Sequence, residues 1–234
     1  MPLRDNWTVI RNESQKLFEA GNIRAYEKHN DVTFNTFFRR GWKRFYLKWY
    51  GDPMPSALSL CPKSVELVSK IPSVNAALFA LLPPGSKLGE HRDPFAGSLR
   101  YHLGLVTPNS DKRRITVNGE PYSWRDGEAV MFDETYIHSA VNDTDQTRII
   151  LFCDVTRPLK TPVMRAVNNF MIQHVVKATA TQNDDGEAVG VVNHISSYIY
   201  TAKGVFKRMN QVNRQLYYAA KYTLIGGILY LIYV

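Results

Sequence analysis

The stretch EHRDPFAGSLRYHLGL, residues 90–105, brings two imidazoles, two guanidiniums and the carboxylate of Asp93 close to one turn. His91 and Asp93 are two residues apart, so in an extended segment their side chains point the same way. An imidazole nitrogen and a carboxylate oxygen from one short piece of chain can therefore bind the same metal ion.

Beyond the turn the same stretch alternates as a β-strand does. The residues that share its apolar face are Leu99, Tyr101, Leu103 and Leu105. Arg100 and His102 share the other face with Gly104, which we expect to leave room above the sheet. His102 alone could be a core histidine, but its shared face with Arg100, close behind the turn, favours a place in the site.

A second segment, DETYIHS at 133–139, precedes the apolar run TRIILFC at 147–153. The polar residues between them predict a hairpin loop. A hairpin symmetric about this loop would set His138 opposite Ile150 and make Arg148 a diagonal neighbour of His138.

Together, His91, Asp93 and His138 form the two-histidine, one-carboxylate set of non-haem Fe(II) oxygenases, which leaves open positions for a co-substrate and dioxygen. Arg148 suits the distant carboxylate of 2-oxoglutarate, because its planar fork binds a carboxylate bidentately. Taken singly, each residue has a commoner explanation as a turn, core or strand residue. Their order, spacing and shared faces together favour the site.

Two segments, HRDPFAGSLRYHLGL at 91–105 and YSWRDGEAVMFDETYIHSAVNDTDQTRIILFCDV at 122–155, resemble the aspartyl/asparaginyl β-hydroxylase family of 2-oxoglutarate dioxygenases. Within it, PLRDNW near the start, GWKRFYLKWYGD at 41–52 and the basic, apolar tail resemble bacterial lipid A fatty-acyl 2-hydroxylases. Such relatives commonly carry a hydrophobic N-terminal anchor. Since the start MPLRDNW is polar, with no signal-peptide pattern, this resemblance implies that the chain could be part of a longer protein.

The resemblance implies that His91 and His138 bind iron and that Arg148 holds the distal carboxylate of 2-oxoglutarate. The Arg-x-His pair of the family, also on the co-substrate side, is matched by Arg100 and His102. The implied reaction is hydroxylation with Fe(II), 2-oxoglutarate and dioxygen.

Asp93 stands where the animal peptide β-hydroxylases carry glycine and bind iron with histidines alone. This departure favours a full triad, and a target at C2 of a secondary fatty-acyl chain of lipid A rather than on a peptide. Two alternatives stay open: a peptide aspartyl/asparaginyl β-hydroxylase, and a non-catalytic membrane-associated β-sandwich that binds an anionic lipid. Asp133 matches a family acid that could orient a ligand, although a turn-capping role explains it equally well, and Trp124 is expected in the core.

Many short strands with turn signals at close spacing, such as Asn118-Gly119, predict a mainly β sandwich or jelly roll. The resemblance implies the double-stranded β-helix of cupin-like proteins. Helices are predicted before it, including one capped by Asp5 or Asn6. We expect a dioxygenase domain over residues 1–158, with these N-terminal helices, and a basic, apolar helical extension over residues 159–234.

The formal net charge of +8, from 29 basic and 21 acidic residues, predicts an anionic partner. Residues 33–50 interleave aromatic and basic side chains without an acid. They are interpreted either as opening strands with outward-pointing lysines and arginines or as the wall of an acyl site with a basic rim. No nucleic-acid motif accompanies them, so no nucleic acid is expected, and no protein partner is inferred.

The C-terminal part is expected to contact a membrane surface. Residues 163–178 look helical, with four side chains along one side: Val163, Val167, Phe170 and His174. The run Leu216–Val234 contains one charge and could be a core helix, an interfacial segment or an anchor. The basic residues before it favour anionic headgroups. Cys61 and Cys153 are expected to be reduced, and we place the protein at the cytoplasmic face of a bacterial inner membrane.

Overall fold

A computed structural model gives the fold and describes residues 2–25, 31, 35–38, 41–215, 217–219 and 221–223. Among these residues the strands pair antiparallel in two sheets. In spatial order, the first sheet contains β1 (Lys43–Trp49), β2 (Val74–Leu82), β9 (Arg148–Thr156), β4 (Ser98–Val106) and β7 (Ala129–Phe132). The second sheet contains β3 (Lys87–His91), β8 (His138–Asn142), β5 (Arg113–Val117) and β6 (Glu120–Ser123). Side chains of both sheets line one internal cavity, so the predicted double-stranded β-helix, or jelly roll, is confirmed.

Short helices flank the sheets on the N-terminal side, as predicted. They are α1 (Pro2–Asp5), α2 (Trp7–Glu19), α3 (Asn35–Phe38), α4 (Pro55–Leu60) and α5 (Pro62–Ser69). Helix α2 packs on β4 and buries Ile10 and Leu17. Its N-cap is Asn6, but the Asn6 side chain donates to the carbonyl of Pro2 and does not cap the helix.

The alternation predicted for β4 is confirmed. Tyr101 and Leu103 are buried on one face, and Arg100 and His102 reach the cavity on the other. The predicted room above Gly104 is filled, because a Cβ there would collide with the backbone carbonyl of a neighbouring loop residue, Arg125. The glycine therefore admits a close backbone neighbour and opens no space above the sheet.

The segment around His138 pairs differently from the prediction. Strand β8 pairs with β3 and β5, whereas β9 pairs with β2 and β4. Residues 143–147 thus cross from one sheet to the other, His138 lies opposite His91, and Arg148 lies opposite Leu82. The predicted hairpin is wrong because alternation tells which face a residue takes and leaves its partner strand undetermined.

Residues 33–50 combine parts of both interpretations. The aromatic side chains of this stretch that line the cavity are Phe37, Trp42, Trp49 and Tyr50. Arg44, expected to point outward, is instead fully buried in an ion pair with Asp31 at 2.9 Å. Four residues of the stretch lie outside the described part: Thr33, Phe34, Arg39 and Arg40.

After the last strand, most of the described residues are helical. Helix α6 (Pro162–Phe170) continues into a π-helix (Met171–Val176) and a 3-10 turn (Lys177–Thr179), and α7 (Val191–Val212) follows a loop. Backbone contacts divide the chain into two units, Met1–Asn193 and His194–Val234. Of the predicted Leu216–Val234 segment, most residues lie outside the described part. Within the part that the structure describes, no helix has both the length and the apolar character needed to cross a bilayer.

Candidate metal and co-substrate site

Three of the predicted site residues meet in the cavity lining. One potential ligand atom from each of His91, Asp93 and His138 lies within 4.8 Å of the other two. The two histidines are cross-strand partners in the β3–β8 ladder, with ring centroids 4.1 Å apart. Asp93 follows two residues after His91, and its Oδ1 lies 3.9 Å from the His91 Nε2. The mixed N,N,O set and its spacing fit one ferrous ion with open positions.

Backbone carbonyls orient both imidazoles in the same way. Nδ1 of His91 lies 2.9 Å from the carbonyl oxygen of Gly89, and Nδ1 of His138 lies 2.9 Å from that of Tyr136. When Nδ1 donates its proton there, Nε2 carries the lone pair that a metal needs. Burial lowers the pKa of His138, which favours the neutral ring.

A buried guanidinium holds the carboxylate ligand. Arg100 donates to Asp93 Oδ2 at 2.6 Å and also to Glu134, and its second terminal nitrogen lies 2.8 Å from Asp154. The hydroxyl of Tyr50 donates to the other oxygen of Asp154 at 2.8 Å. Glu134 and Asp154 therefore fix the position of Arg100, which in turn holds Asp93.

Arg148 is a buried cation beside the cavity wall. Its side chain is fully buried, and none of its three guanidinium nitrogens has a hydrogen-bond partner among the described residues. The guanidinium stacks on the rings of Trp42 and Trp124, at 5.2 and 4.1 Å from their centroids, and both rings line the cavity. Burial lowers the pKa of Arg148 to about 9, so the group is still charged at neutral pH. An unpaired buried charge is costly, and the carboxylate of a co-substrate would satisfy it.

His102 is another cavity residue with buried, unsatisfied polar atoms. Its ring is buried, stacks on Phe152 with centroids 5.1 Å apart, and has no hydrogen-bond partner for either nitrogen among the described residues. Burial, followed by the charges of Arg148 and Arg100, lowers the pKa of His102 well below its usual value. The ring is therefore neutral and offers one donor and one acceptor to a bound molecule.

The cavity itself has a volume of about 520 Å³, within the range of small-molecule sites. The lining includes the three ligand residues and Arg100. Apolar and aromatic side chains dominate the remaining wall, among them Phe95, Phe132, Phe152, Met171 and Val175. An apolar chain is therefore a better fit for this wall than a polar one.

Sequence reasoning missed the acids that surround Arg100. Glu134 is 1% exposed and Asp154 is 6% exposed, yet neither was assigned a role. Their signal was weak: Glu134 follows the acid that resembled the family, and Asp154 is a lone charge in an apolar strand. Asp133 instead pairs with Arg157 at 2.6 Å and accepts from Thr135, which fits the turn-capping alternative.

Comparison with known proteins identifies the family that this chain matches. The model of the aspartyl/asparaginyl beta-hydroxylase family matches residues 4–158. An ornithine lipid ester-linked acyl 2-hydroxylase of Rhizobium tropici is 42% identical over 170 residues. The human aspartyl/asparaginyl beta-hydroxylase is 27% identical over 168 residues. These regions are 71% and 70% of this chain but span only 59% and 22% of the two relatives.

Solved structures resemble the fold more distantly. A prolyl-4-hydroxylase of Pseudomonas putida has a TM-score of 0.47 and 15% identity, covering 66% of this chain and 87% of that one. A predicted oxalate decarboxylase of Thermotoga maritima has a TM-score of 0.34 and 16% identity, covering 50% of this chain and 81% of that one.

Proposed function

Because the chain belongs to the aspartyl/asparaginyl β-hydroxylase family, we propose that it is an Fe(II)- and 2-oxoglutarate-dependent dioxygenase that hydroxylates C2 of a fatty-acyl chain on a membrane lipid. One observation carries the proposal. The donor atoms of His91, Asp93 and His138 converge in the cavity, and the guanidinium of Arg148, which packs on the lining ring of Trp124, has no hydrogen-bond partner among the described residues.

Each residue has a defined task in this proposal. His91, Asp93 and His138 hold the iron, and Arg148 binds the distal carboxylate of 2-oxoglutarate. His102 offers the co-substrate a further hydrogen bond. When bound, iron with dioxygen and 2-oxoglutarate supplies the oxidation that inserts one oxygen atom into a C–H bond and releases succinate and carbon dioxide.

The rest of the chemistry is positioning. Arg100, held by Glu134 and Asp154, keeps one oxygen of Asp93 occupied and leaves the other for the metal. The sequence resemblance also assigned Arg100 to the co-substrate, and that role stays a prediction. The apolar wall orients the acyl chain and keeps water from the reacting carbon.

The lipid headgroup has two candidates. The sequence resemblance favours a secondary acyl chain of lipid A. The Rhizobium tropici relative is named as an ornithine lipid ester-linked acyl 2-hydroxylase, which favours ornithine lipid as the second candidate. A peptide fits less well, because the cavity wall offers it mostly apolar and aromatic side chains. We place the reaction at the cytoplasmic face of the bacterial inner membrane, where the extension over residues 159–234 would contact the lipid surface.

A product assay tests the proposal. Purified protein with Fe(II), ascorbate and 2-oxoglutarate is incubated with lipid A or with ornithine lipid, and the products are analysed by mass spectrometry. We expect one lipid to gain the mass of one oxygen, located at C2 by fragmentation, with succinate formed in equal amount. A His138→Ala variant is the matched control. Succinate formation that neither lipid stimulates, with no gain in mass, would contradict the proposed substrate class.

A further inference from the structure

Helix α6 is amphipathic, but its apolar side is exposed and its buried residue is polar. Its large apolar residues face solvent: Val163 is 72% exposed, Met164 49%, Val167 58% and Phe170 59%. The one buried residue of the helix is polar, namely Asn168. A surface helix of a globular protein normally turns its apolar stripe toward the core, whereas the stripe of this helix is exposed.

The anchor of the helix explains why it holds this orientation. Asn168 donates to the carbonyl of Gly97 at 3.1 Å. A Cβ at Gly97 would overlap the Asn168 side chain, so only glycine admits this contact. Gly97 belongs to the turn that carries Asp93, Pro94 and Phe95, all of which line the cavity. The polar face of α6 is thus fixed to the rim of the proposed active site.

The same helical segment runs from the exposed stripe into the cavity wall. Directly after Phe170, the π-helix places Met171, Val175 and Val176 in the cavity lining. Val175 is also 43% exposed, so it links the wall to the outer surface. An apolar molecule moving along this segment would stay in contact with apolar side chains from the outside to the inside.

The charge of residues 158–183 indicates which kind of partner the exposed stripe of α6 would contact. Residues 158–183 contain no aspartate or glutamate, while Lys160, Arg165 and Lys177 are basic. An apolar stripe with basic neighbours and no acid is typical of helices that lie in the interface of an anionic bilayer. A protein partner would need complementary polar contacts as well, and this stripe offers few.

We propose that α6 is an interfacial docking helix, which inserts its apolar stripe into an anionic lipid bilayer and sets the cavity rim against the membrane. The inference rests on the proposed function for its purpose, because an acyl chain could then pass from the bilayer along the π-helix to the metal site.

A site-specific fluorescent label tests the docking without measuring turnover. Cys61 and Cys153 are buried, and burial raises the pKa of Cys61 to about 12 and raises that of Cys153, so neither thiol competes for the label. A nitrobenzoxadiazole dye is attached in the Val167→Cys variant. The matched control is Leu58→Cys on α4, at a residue that is 52% exposed.

Vesicles of phosphatidylethanolamine and phosphatidylglycerol are then added to the full chain. We expect a blue shift and a rise in emission for the label at position 167 and no change for the label at position 58. Vesicles of phosphatidylcholine should give a smaller response. In flotation, the triple variant Val163→Ser, Val167→Ser, Phe170→Ser should bind at least about tenfold more weakly, because each large side chain contributes to partitioning.

Several results would overturn the inference. These are an unchanged label at position 167 with anionic vesicles, an equal shift at both positions, or an equal response to phosphatidylcholine. A label at position 167 that is already blue-shifted without vesicles would mean that the protein itself covers the stripe. A lipid that gains oxygen although position 167 stays in water would leave the proposed reaction standing and remove only the docking helix.

Discussion

Replacing Arg148 with methionine separates two consequences of one buried charge. In the ligand-free protein the guanidinium is buried without a partner among the described residues. Methionine removes this unpaired cation and keeps the apolar contacts with Trp42 and Trp124. Exchanging buried charges for apolar groups is often neutral or stabilising by about 1–4 kcal/mol. We therefore expect Arg148→Met to be as stable as the parent without ligand, or more so, with the melting temperature rising by about 2–4 °C per kcal/mol.

Binding of 2-oxoglutarate should change in the opposite direction. Loss of one partner of a desolvated charge pair costs about 2–5 kcal/mol. The dissociation constant of 2-oxoglutarate should therefore increase roughly 30- to 4000-fold. Calorimetry with Mn(II) in place of iron measures this constant without turnover. In thermal unfolding, the parent should gain about 2.7 kcal/mol at a ligand concentration of 100 times its dissociation constant, and at the same concentration the variant should gain less than about 1 kcal/mol.

Arg113 provides the matched contrast. Arg113 is as buried as Arg148, but it has hydrogen-bond partners. It donates to the Asn142 side chain at 2.9 Å and to the carbonyl of Thr147, the residue before Arg148, at 3.3 Å. Arg113→Met should therefore destabilise the protein, because it leaves buried acceptors unpaired. An unchanged affinity of Arg148→Met for 2-oxoglutarate would refute the assignment of Arg148. A clear loss of ligand-free stability in Arg148→Met would refute the conclusion that the Arg148 guanidinium of the parent is unpaired.

Three further predictions follow from the same contacts. His138→Ala should abolish succinate formation while circular dichroism shows an intact fold, and retained turnover would remove His138 from the ligand set. Asp154→Asn should loosen Arg100 and weaken Fe(II) binding about tenfold or more, as loss of support around a ligand does; an unchanged metal affinity would contradict this support. Arg157 holds the pKa of the Asp133 carboxyl well below its usual range, so its stabilisation is present above pH ~4 and is lost as pH falls through the lowered pKa. Asp133→Asn should thus cost about 1–3 kcal/mol at neutral pH, with a difference from the parent that shrinks in acid urea titrations, and a difference independent of pH would be inconsistent with the ion pair.

The spacing of the chain predicted which three side chains come together in the cavity. His91 and Asp93 were expected on one side of an extended segment, and the structure brings one ligand atom of each close to one of His138. The alternation of β4 likewise predicted that Arg100 and His102 share a face, which both use to reach the cavity. These features depend on local periodicity, which can be determined from residue spacing alone.

Features that depend on tertiary partners were beyond the sequence. The hairpin around residues 143–147 was wrong because it assumed that adjacent strands pair, whereas this loop crosses between sheets. Glu134 and Asp154 were missed because their importance comes from Arg100, which approaches from another strand. The stripe on α6 was visible as a helical pattern, but its outward orientation depends on the anchor at Asn168.

The central claim is that His91, Asp93 and His138 bind one ferrous ion to which 2-oxoglutarate then chelates. An anaerobic titration of the purified protein with Fe(II), followed by 2-oxoglutarate, tests it most directly. We predict a visible charge-transfer band that saturates at one iron per chain and is absent from His138→Ala. Full iron loading without any such band, or the same band in His138→Ala, would contradict the account.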